Sequence, residues 1–319
     1  MSVAGRVAIL GVSMLVAASS CNRGAPEGGG AGARVALVLK TLNSPFFNDL
    51  QRGATEAADR LGVTLLVQAA EREIDVEKQM QIIENLIQTR VQVLCVTPSG
   101  SREIVPAIAK ANQAGIPVII VDTRVDERAA AEAGIRTVSF VGSDNYRGGL
   151  LMGQHLLQIS GGRAQVALLE GIPGHETGDS RLRGFRDALK NAPDVVIVAS
   201  QPANWERDQG FTVFQNMLQA HPDIDTVFAC NDVMALGAVE AIAAARKTGR
   251  VRVLGFDAIE DARRAIEAGT MAASVAQFPE EMGRVAVETA VRVMRGERVP
   301  AEIGVRIELV TKDNTSTSR

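Results

Sequence analysis

The feature that most constrains the fold of this chain is an alternation. A short apolar run, a helical pattern and another apolar run recur from residue 35 to residue 277. The apolar runs are 35–40, 63–68, 91–96 and 118–122, then 165–169, 195–199, 226–230, 251–257 and 273–277. Between the first two, 46–61 is preceded by Ser44-Pro45 and stopped by Gly62, the order expected of a helix cap, a first-turn proline and a C-terminal stop. Asp75 stands ahead of a helical stripe of Met80, Ile83 and Ile87, and 103–114, 181–190, 206–220 and 232–247 also read as helices. Continuous apolar runs of this length belong to strands buried on both sides. Strands joined by helical crossovers lie parallel, with helices on both faces of the sheet. The expected class is therefore α/β.

The alternation runs through two series, and 319 residues suffice for two domains. Gly53-Ala54-Thr55-Glu56-Ala57-Ala58 and Gly184-Phe185-Arg186-Asp187-Ala188-Leu189 open similar helix-then-strand units, one in each series. Two similar doubly wound parallel-sheet lobes are the expectation, with a ligand cleft between them.

Four strands end in planar polar groups: Asp122, Asn231 with Asp232, Asp257 and Gln277. Open α/β sheets bind ligands outside the carboxyl ends of their strands. Each Asp or Asn can instead cap the helix that follows. Their recurrence beside aromatic residues favours a ligand site. Aromatic residues make up only 3% of the chain, yet Phe46 and Phe47 follow the first strand and Trp205, the sole tryptophan, follows the strand 195–199 at the same edge. Carboxylates and amides hold hydroxyls that both donate and accept, and rings pack on apolar C–H faces. A sugar or polyol needs both.

Other classes of function find little support. A net charge of −3 gives no basic face for nucleic acid. His155, His175 and His221 lack metal-ligand spacing, and the chain has no nucleophile elbow, Walker sequence or glycine fingerprint. No catalytic residue, metal or cofactor is expected. His155 belongs to a helix and His221 to a helix end, whereas His175 sits on a cleft-side loop and is a candidate ligand contact. Cys95 and Cys230 lie inside apolar strands of different lobes and are expected to be inert buried thiols.

At the N-terminus Arg6 precedes an apolar stretch, 7–18, and then Ser19-Ser20-Cys21. A basic start, a short apolar region and small residues before a cut describe an export signal, too short to span a bilayer. Small residues leading directly to Cys21 resemble the lipobox of bacterial lipoproteins, so residues 1–21 are expected to be a signal with Cys21 the lipidated residue, a plain cleaved signal being the alternative. Residues 22–33 are expected to be a Gly- and Ala-rich flexible tether.

Several segments, taken as a set, carry a family resemblance: Leu42-Asn43-Ser44-Pro45-Phe46-Phe47, Ser200-Gln201-Pro202-Ala203-Asn204-Trp205, the stretch from Phe228 to Ala238, Gly255-Phe256-Asp257 and Ala276-Gln277-Phe278-Pro279. From Arg34 to Val310 the chain resembles the ribose-binding protein family, the solute receptors of monosaccharide ABC importers. The resemblance implies the type I periplasmic binding protein fold, two lobes joined by a three-strand hinge with crossovers near Ser143, Gln277 and Arg306. It implies an N-terminal lobe of 34–143 plus 278–306, a C-terminal lobe of 144–277 plus 307–312, and a tail of 313–319. It also implies ligand contacts from Phe46, Phe47, Asp122, Trp205, Asn231, Phe256, Asp257 and Gln277.

Four positions depart from the ribose-binding pattern. Lys40 stands where that branch has a small polar residue, Ser44 where it has Asn, Thr123 where it has a basic residue, and Asp179 where it has Arg. All four are candidate ligand contacts, and Lys40 and Asp179 are expected either to bridge the closed cleft or to select a different ligand. The expected partners are a monosaccharide or polyol and an ABC permease, for a monomeric protein outside the cytoplasm. Presentation of the sugar to a chemoreceptor or sensor kinase is a second reading.

Overall fold

The computed structural model of the chain describes residues 1–2 and 32–315. Cys21, the export segment from residue 3 and the tether as far as residue 31 lie outside the described residues, as does 316–319 of the tail. Among the described residues the chain forms two six-stranded α/β lobes.

The first lobe runs β1 (Arg34–Thr41), α1 (Pro45–Leu61), β2 (Thr64–Ala70), α2 (Val76–Gln88), β3 (Val93–Val96), α3 (Val105–Gln113), β4 (Val118–Val121), α4 (Glu127–Ala133) and β5 (Ser139–Ser143). The second runs α5 (Asn145–Ser160), β6 (Ala164–Glu170), α6 (Glu176–Leu189), β7 (Val195–Pro202), α7 (Arg207–Ala220), β8 (Thr226–Ala229), α8 (Asp232–Ala244), β9 (Arg252–Asp257), α9 (Glu260–Glu267) and β10 (Ala273–Ala276). The chain then returns through α10 (Pro279–Met294) and β11 (Glu302–Val305) to the first lobe and ends with β12 (Glu308–Thr311) in the second.

The strand orders are β11-β5-β4-β3-β1-β2 and β12-β10-β9-β8-β6-β7. Every pairing is parallel except β12, which runs antiparallel to β10. The sequence pattern explains who sits where. β1 lies between β2 and β3 and is buried almost throughout, whereas the edge strands β2 and β7 are largely half-buried. In each lobe the order reverses beside the first strand, between β1 and β3 and between β6 and β8. Such switch points open a crevice at the carboxyl ends of the strands.

Helix α1 starts at Pro45 and stops at Gly62, whose φ of 67° lets its N–H reach the carbonyls of Ala58 and Asp59. The paired glycines of the two series have one physical role. A Cβ on Gly53 would strike the Glu280 carbonyl of α10, and one on Gly184 would strike the Tyr146 carbonyl of α5. Each lobe thus clamps its first helix against the helix that enters from the hinge. The chain passes between lobes at three places: from β5 to α5, from β10 to α10, and from β11 to β12. Ser143, Gln277 and Arg306 stand at these passages. Phe278 adopts a left-handed φ of 57° at the second, and the Arg306 guanidinium lies 3.6 Å from its ring centre at the third.

Two readings of the helices differ from the structure. Helix α6 begins at Glu176 instead of residue 181, because His175-Glu176-Thr177-Gly178 offers no side-chain cap to mark the start. Helix α8 ends at Ala244, three residues before Lys247. His155 is half-buried on α5, and Cys95 and Cys230 are buried free thiols in separate lobes, each pushed up to about 12 by burial. No described helix is long and apolar enough to cross a membrane.

Candidate functional site

The carboxyl ends of both sheets face each other across a small cavity of about 30 Å³.

The N-terminal lobe supplies an aromatic floor and a charged wall. Phe46 and Phe47 open α1 edge-to-face, with ring centres 5.2 Å apart. Ser44 caps α1 in extended geometry without a side-chain capping bond, which leaves its hydroxyl facing the cavity. Lys40, at the end of β1, is 2% exposed. A buried ammonium requires a partner. Its Nζ lies 3.2 Å from Asp122 Oδ2 and 3.7 Å from Glu73 Oε2. Asp122 does not cap a helix: Asp126 caps α4. Instead Asp122 holds a φ of 64°, a region costly for most residues and tolerated best by Asn and Asp. Thr123 Oγ1 donates to its Oδ2 at 2.8 Å.

The C-terminal lobe supplies the opposite wall. Trp205 also has a positive φ, 66°, unusual for a bulky side chain. The strained turn lays the indole against Gly171, where any Cβ would collide with the ring. Asn231 both caps α8, accepting from the Met234 N–H at 2.9 Å, and lines the cavity. Arg181 is buried. Its Nε donates to Asn145 Oδ1 at 2.9 Å, and its Nη1 donates to the Cys230 carbonyl at 2.6 Å and to Asp257 Oδ1 at 3.5 Å. Gln277 Nε2 donates to the same Asp257 oxygen at 2.7 Å.

Burial dominates the electrostatics. It pushes the Asp257 carboxyl up to about 6, against the pull of Arg181. It pushes Glu73 up to about 7 despite the attraction of Lys40, with Asp122 adding to the rise. His175 is held well below the usual histidine range, first by burial and then by Lys40.

Two polar atoms of the cavity wall, Trp205 Nε1 and Gln277 Oε1, are buried with no hydrogen-bond partner. Native proteins leave few such atoms. One is a donor and one an acceptor, and both belong to residues lining the same space.

The lobes also touch directly. Thr177 Oγ1 lies 2.9 Å from Thr123 Oγ1, the Glu176 N–H donates to Ser101 Oγ at 3.1 Å, and His175 Nε2 donates to the Pro98 carbonyl at 3.2 Å. Arg72 Nε donates to Glu206 Oε1 at 3.3 Å across the mouth. The cleft is closed.

Of the residues singled out in the sequence, the structure brings Lys40, Ser44, Phe46, Phe47, Asp122, Trp205, Asn231, Asp257 and Gln277 to this cavity. Four lie elsewhere. Phe256 is fully buried behind the wall, and the Arg181 guanidinium rests 3.8 Å from its ring centre. Thr123 touches Asp122 and Thr177 instead of lining the cavity. Asp179 is exposed on the first turn of α6 and forms no bridge with Lys40, which pairs with Glu73 and Asp122 in its own lobe. His175 is buried at the lobe contact, outside the cavity lining. Glu73, Thr177 and Arg181 line the cavity and were not among the candidates. Arg181 stood in the pattern only as the start of a helix, and Glu73 follows a strand end at the correct sheet edge, a signal hidden in a charged loop.

The model for "Periplasmic binding protein domain" matches residues 35–298. The ribose import binding protein of Escherichia coli is 40% identical over 278 residues, 87% of this chain and 90% of that protein. The D-allose-binding periplasmic protein of the same organism is 35% identical over 282 residues, 88% of this chain and 91% of that one. Among solved structures, a periplasmic solute binding protein of an ABC transporter from Actinobacillus succinogenes, with bound D-allose, superposes with a TM-score of 0.83 at 38% identity, covering 88% of this chain and 98% of that one. Fold, hinge crossings and family match agree: the chain belongs to the periplasmic binding protein family, as an extracytoplasmic binding protein of type I architecture and not an enzyme.

Proposed function

We propose that this protein captures a neutral monosaccharide or polyol by closing its lobes, and delivers it to an ABC importer in the membrane. The observation that carries this reading is the pair of orphaned atoms, Trp205 Nε1 and Gln277 Oε1, in the interlobe cavity. A hydroxyl donates and accepts, so one ligand hydroxyl group or two neighbours satisfy both. Phe46, Phe47 and Trp205 offer ring surface to C–H faces, and Asp122, Asn231 and Asp257 offer planar polar groups. A ligand that touches both lobes interacts more strongly with the closed state and shifts the population toward it.

Delivery to an importer is favoured over a sensory role by the import function in the relative's name. The apolar stretch before Ser19-Ser20-Cys21 supports lipidation at Cys21 and anchorage to a membrane outside the cytoplasm. We take the working form to be a monomer that meets its permease when closed.

Calorimetry against D-ribose, D-allose, D-arabinose, D-tagatose, myo-inositol and glycerol tests the reading. One of these is expected to bind at about 1 μM or tighter, equivalent to ~−8 kcal/mol. X-ray scattering should report a more compact particle on its addition. Absence of heat with every probe, and an unchanged radius, would overturn it.

A further inference from the structure

The loop between β2 and α2 carries Glu73 into the cavity, where its side chain is 13% exposed. Three carboxylates line that space. Asp122 accepts from Thr123, and Asp257 accepts from Gln277 and Arg181. Glu73 receives no hydrogen bond from any described residue; its one ion pair, to Lys40, is 3.7 Å long, beyond hydrogen-bonding range. Its acceptor capacity is thus unspent, and it points at the space the ligand would fill. It also stands at the seam. Lys40 on β1 and Asp122 after β4 face it from its own lobe, and Asp257 at the end of β9 and Glu206, the N-cap of α7, face it from the other.

We propose that Glu73 is a specificity-determining ligand contact that meets a ligand hydroxyl at the N-lobe end of the cavity and couples closure to the uptake of a proton. The inference rests on the ligand-capture reading above and deepens it. With the lobes apart, Glu73 loses the cover and the like charges of Asp257 and Glu206. Closure buries it, brings those carboxylates up, and raises it from the ordinary carboxylate range to about 7. A group whose affinity for protons rises on closing takes up protons as the lobes meet. Closure, and with it binding, is therefore strongest below the open-state value and weakens as pH rises through about 7. Protonated, the carboxyl offers one donor and one acceptor to a single hydroxyl. A carboxylate-bearing sugar acid would meet Asp122 and Asp257 in the same space and be refused.

The test is calorimetry of the full chain with whichever of the six probes binds most tightly, in buffers of different ionisation enthalpy. For the unmodified protein the affinity is expected to fall about tenfold or more between about pH 6 and about pH 8.5, with proton uptake on binding. Glu73→Gln keeps the shape and removes the titration, and its profile should be flat above about pH 6.5; any slope remaining below that belongs to Asp257. Glu73→Asp should restore a slope. A Glu73→Gln profile and proton uptake identical to the unmodified protein would overturn the inference. Failure of the unmodified protein to bind any probe would instead overturn the function proposed above. Glu73 makes no structural hydrogen bond, so the variants should remain folded, and melting curves at each pH check this.

Discussion

The Thr177 hydroxyl donates to the Thr123 hydroxyl across the gap between the lobes, 2.9 Å away. The direction follows from chemistry: Thr123 spends its one O–H on Asp122, a carboxylate that can only accept at 2.8 Å, so the proton between the two threonines comes from Thr177. A chain Thr177 to Thr123 to Asp122 thus ties the first turn of α6 to the carboxylate that pairs with Lys40. In the resemblance to the ribose-binding family, position 123 held a basic residue; here a short hydroxyl stands in its place and the lobes meet without it.

This link exists only when the cleft is shut, so removing it shifts the balance toward the open form. Thr177→Val should weaken ligand binding by about two- to tenfold, the equivalent of one net hydrogen bond of ~0.5–1.5 kcal/mol. Thr123→Val should cost more, because Asp122 also loses a donor. Scattering from the ligand-free variants should give a larger radius than the parent. An unchanged affinity in both would remove the threonine pair from the closure mechanism.

Trp205→Phe separates binding from folding. It keeps most of the ring and deletes the buried N–H that has no protein partner. Removing an unsatisfied donor leaves ligand-free stability unchanged or slightly higher, whereas losing a bond to the ligand costs about 1–3 kcal/mol. Melting temperature without ligand should hold while affinity drops by about tenfold or more. A variant that binds as the parent does would show that the indole N–H faces something other than the ligand.

His175 gives the fold an acid limit. Its ring is neutral in the closed protein because it is buried and because Lys40 and Arg181 repel a charge there; the Pro98 carbonyl pulls the other way and loses. In the unfolded chain the ring protonates near its ordinary value of about 6.5. The group is depressed on folding, so its contribution is whole above about pH 6.5 and is lost as pH falls below it, at most ~1.4 kcal/mol per pH unit. Glu73 and Asp257, raised by burial, act in the opposite sense. His175→Gln should therefore lose less melting temperature than the parent between about pH 7.5 and about pH 5, measured by thermal unfolding.

How much of this was legible in the chain follows from burial. Strands such as β3 and β4 are short, apolar and buried on both faces, so their runs and their polar ends stood out, and Asp122, Asn231 and Asp257 came with them. Phe256 illustrates a rule left unused. Neighbours along a strand point to opposite faces, so with Asp257 at the cavity Phe256 had to turn away, where it supports Arg181. Glu73 was hidden because Glu71-Arg72-Glu73 reads as a solvated loop, and only the tertiary fold brings Lys40 beside it. The first turn of α6 has no capping bond to announce it, so Thr177 was missed and the charge at Asp179 was given a role that its exposed position does not support.

Arg181 combines the fold and the site in one side chain, and its removal should damage both. Arg181 is 3% exposed, and its guanidinium rests on Phe256 and spends donors on Asn145, the Cys230 carbonyl and Asp257. A lysine has one ammonium and cannot reproduce that fork or the ring contact. Without any cation, Asp257 would keep only Gln277, and its already raised carboxyl would rise further. Breaking a buried pair from one side costs ~3–5 kcal/mol. Arg181→Ala should lower unfolding free energy in urea by about that amount, and Arg181→Lys by less. Because Asp257 then takes up a proton near neutrality, ligand affinity should fall in Arg181→Ala, and by less in the lysine variant, which keeps a cation beside that carboxyl. If urea titrations of Arg181→Ala match the parent, the guanidinium is not what holds β9, α6 and the cavity wall together.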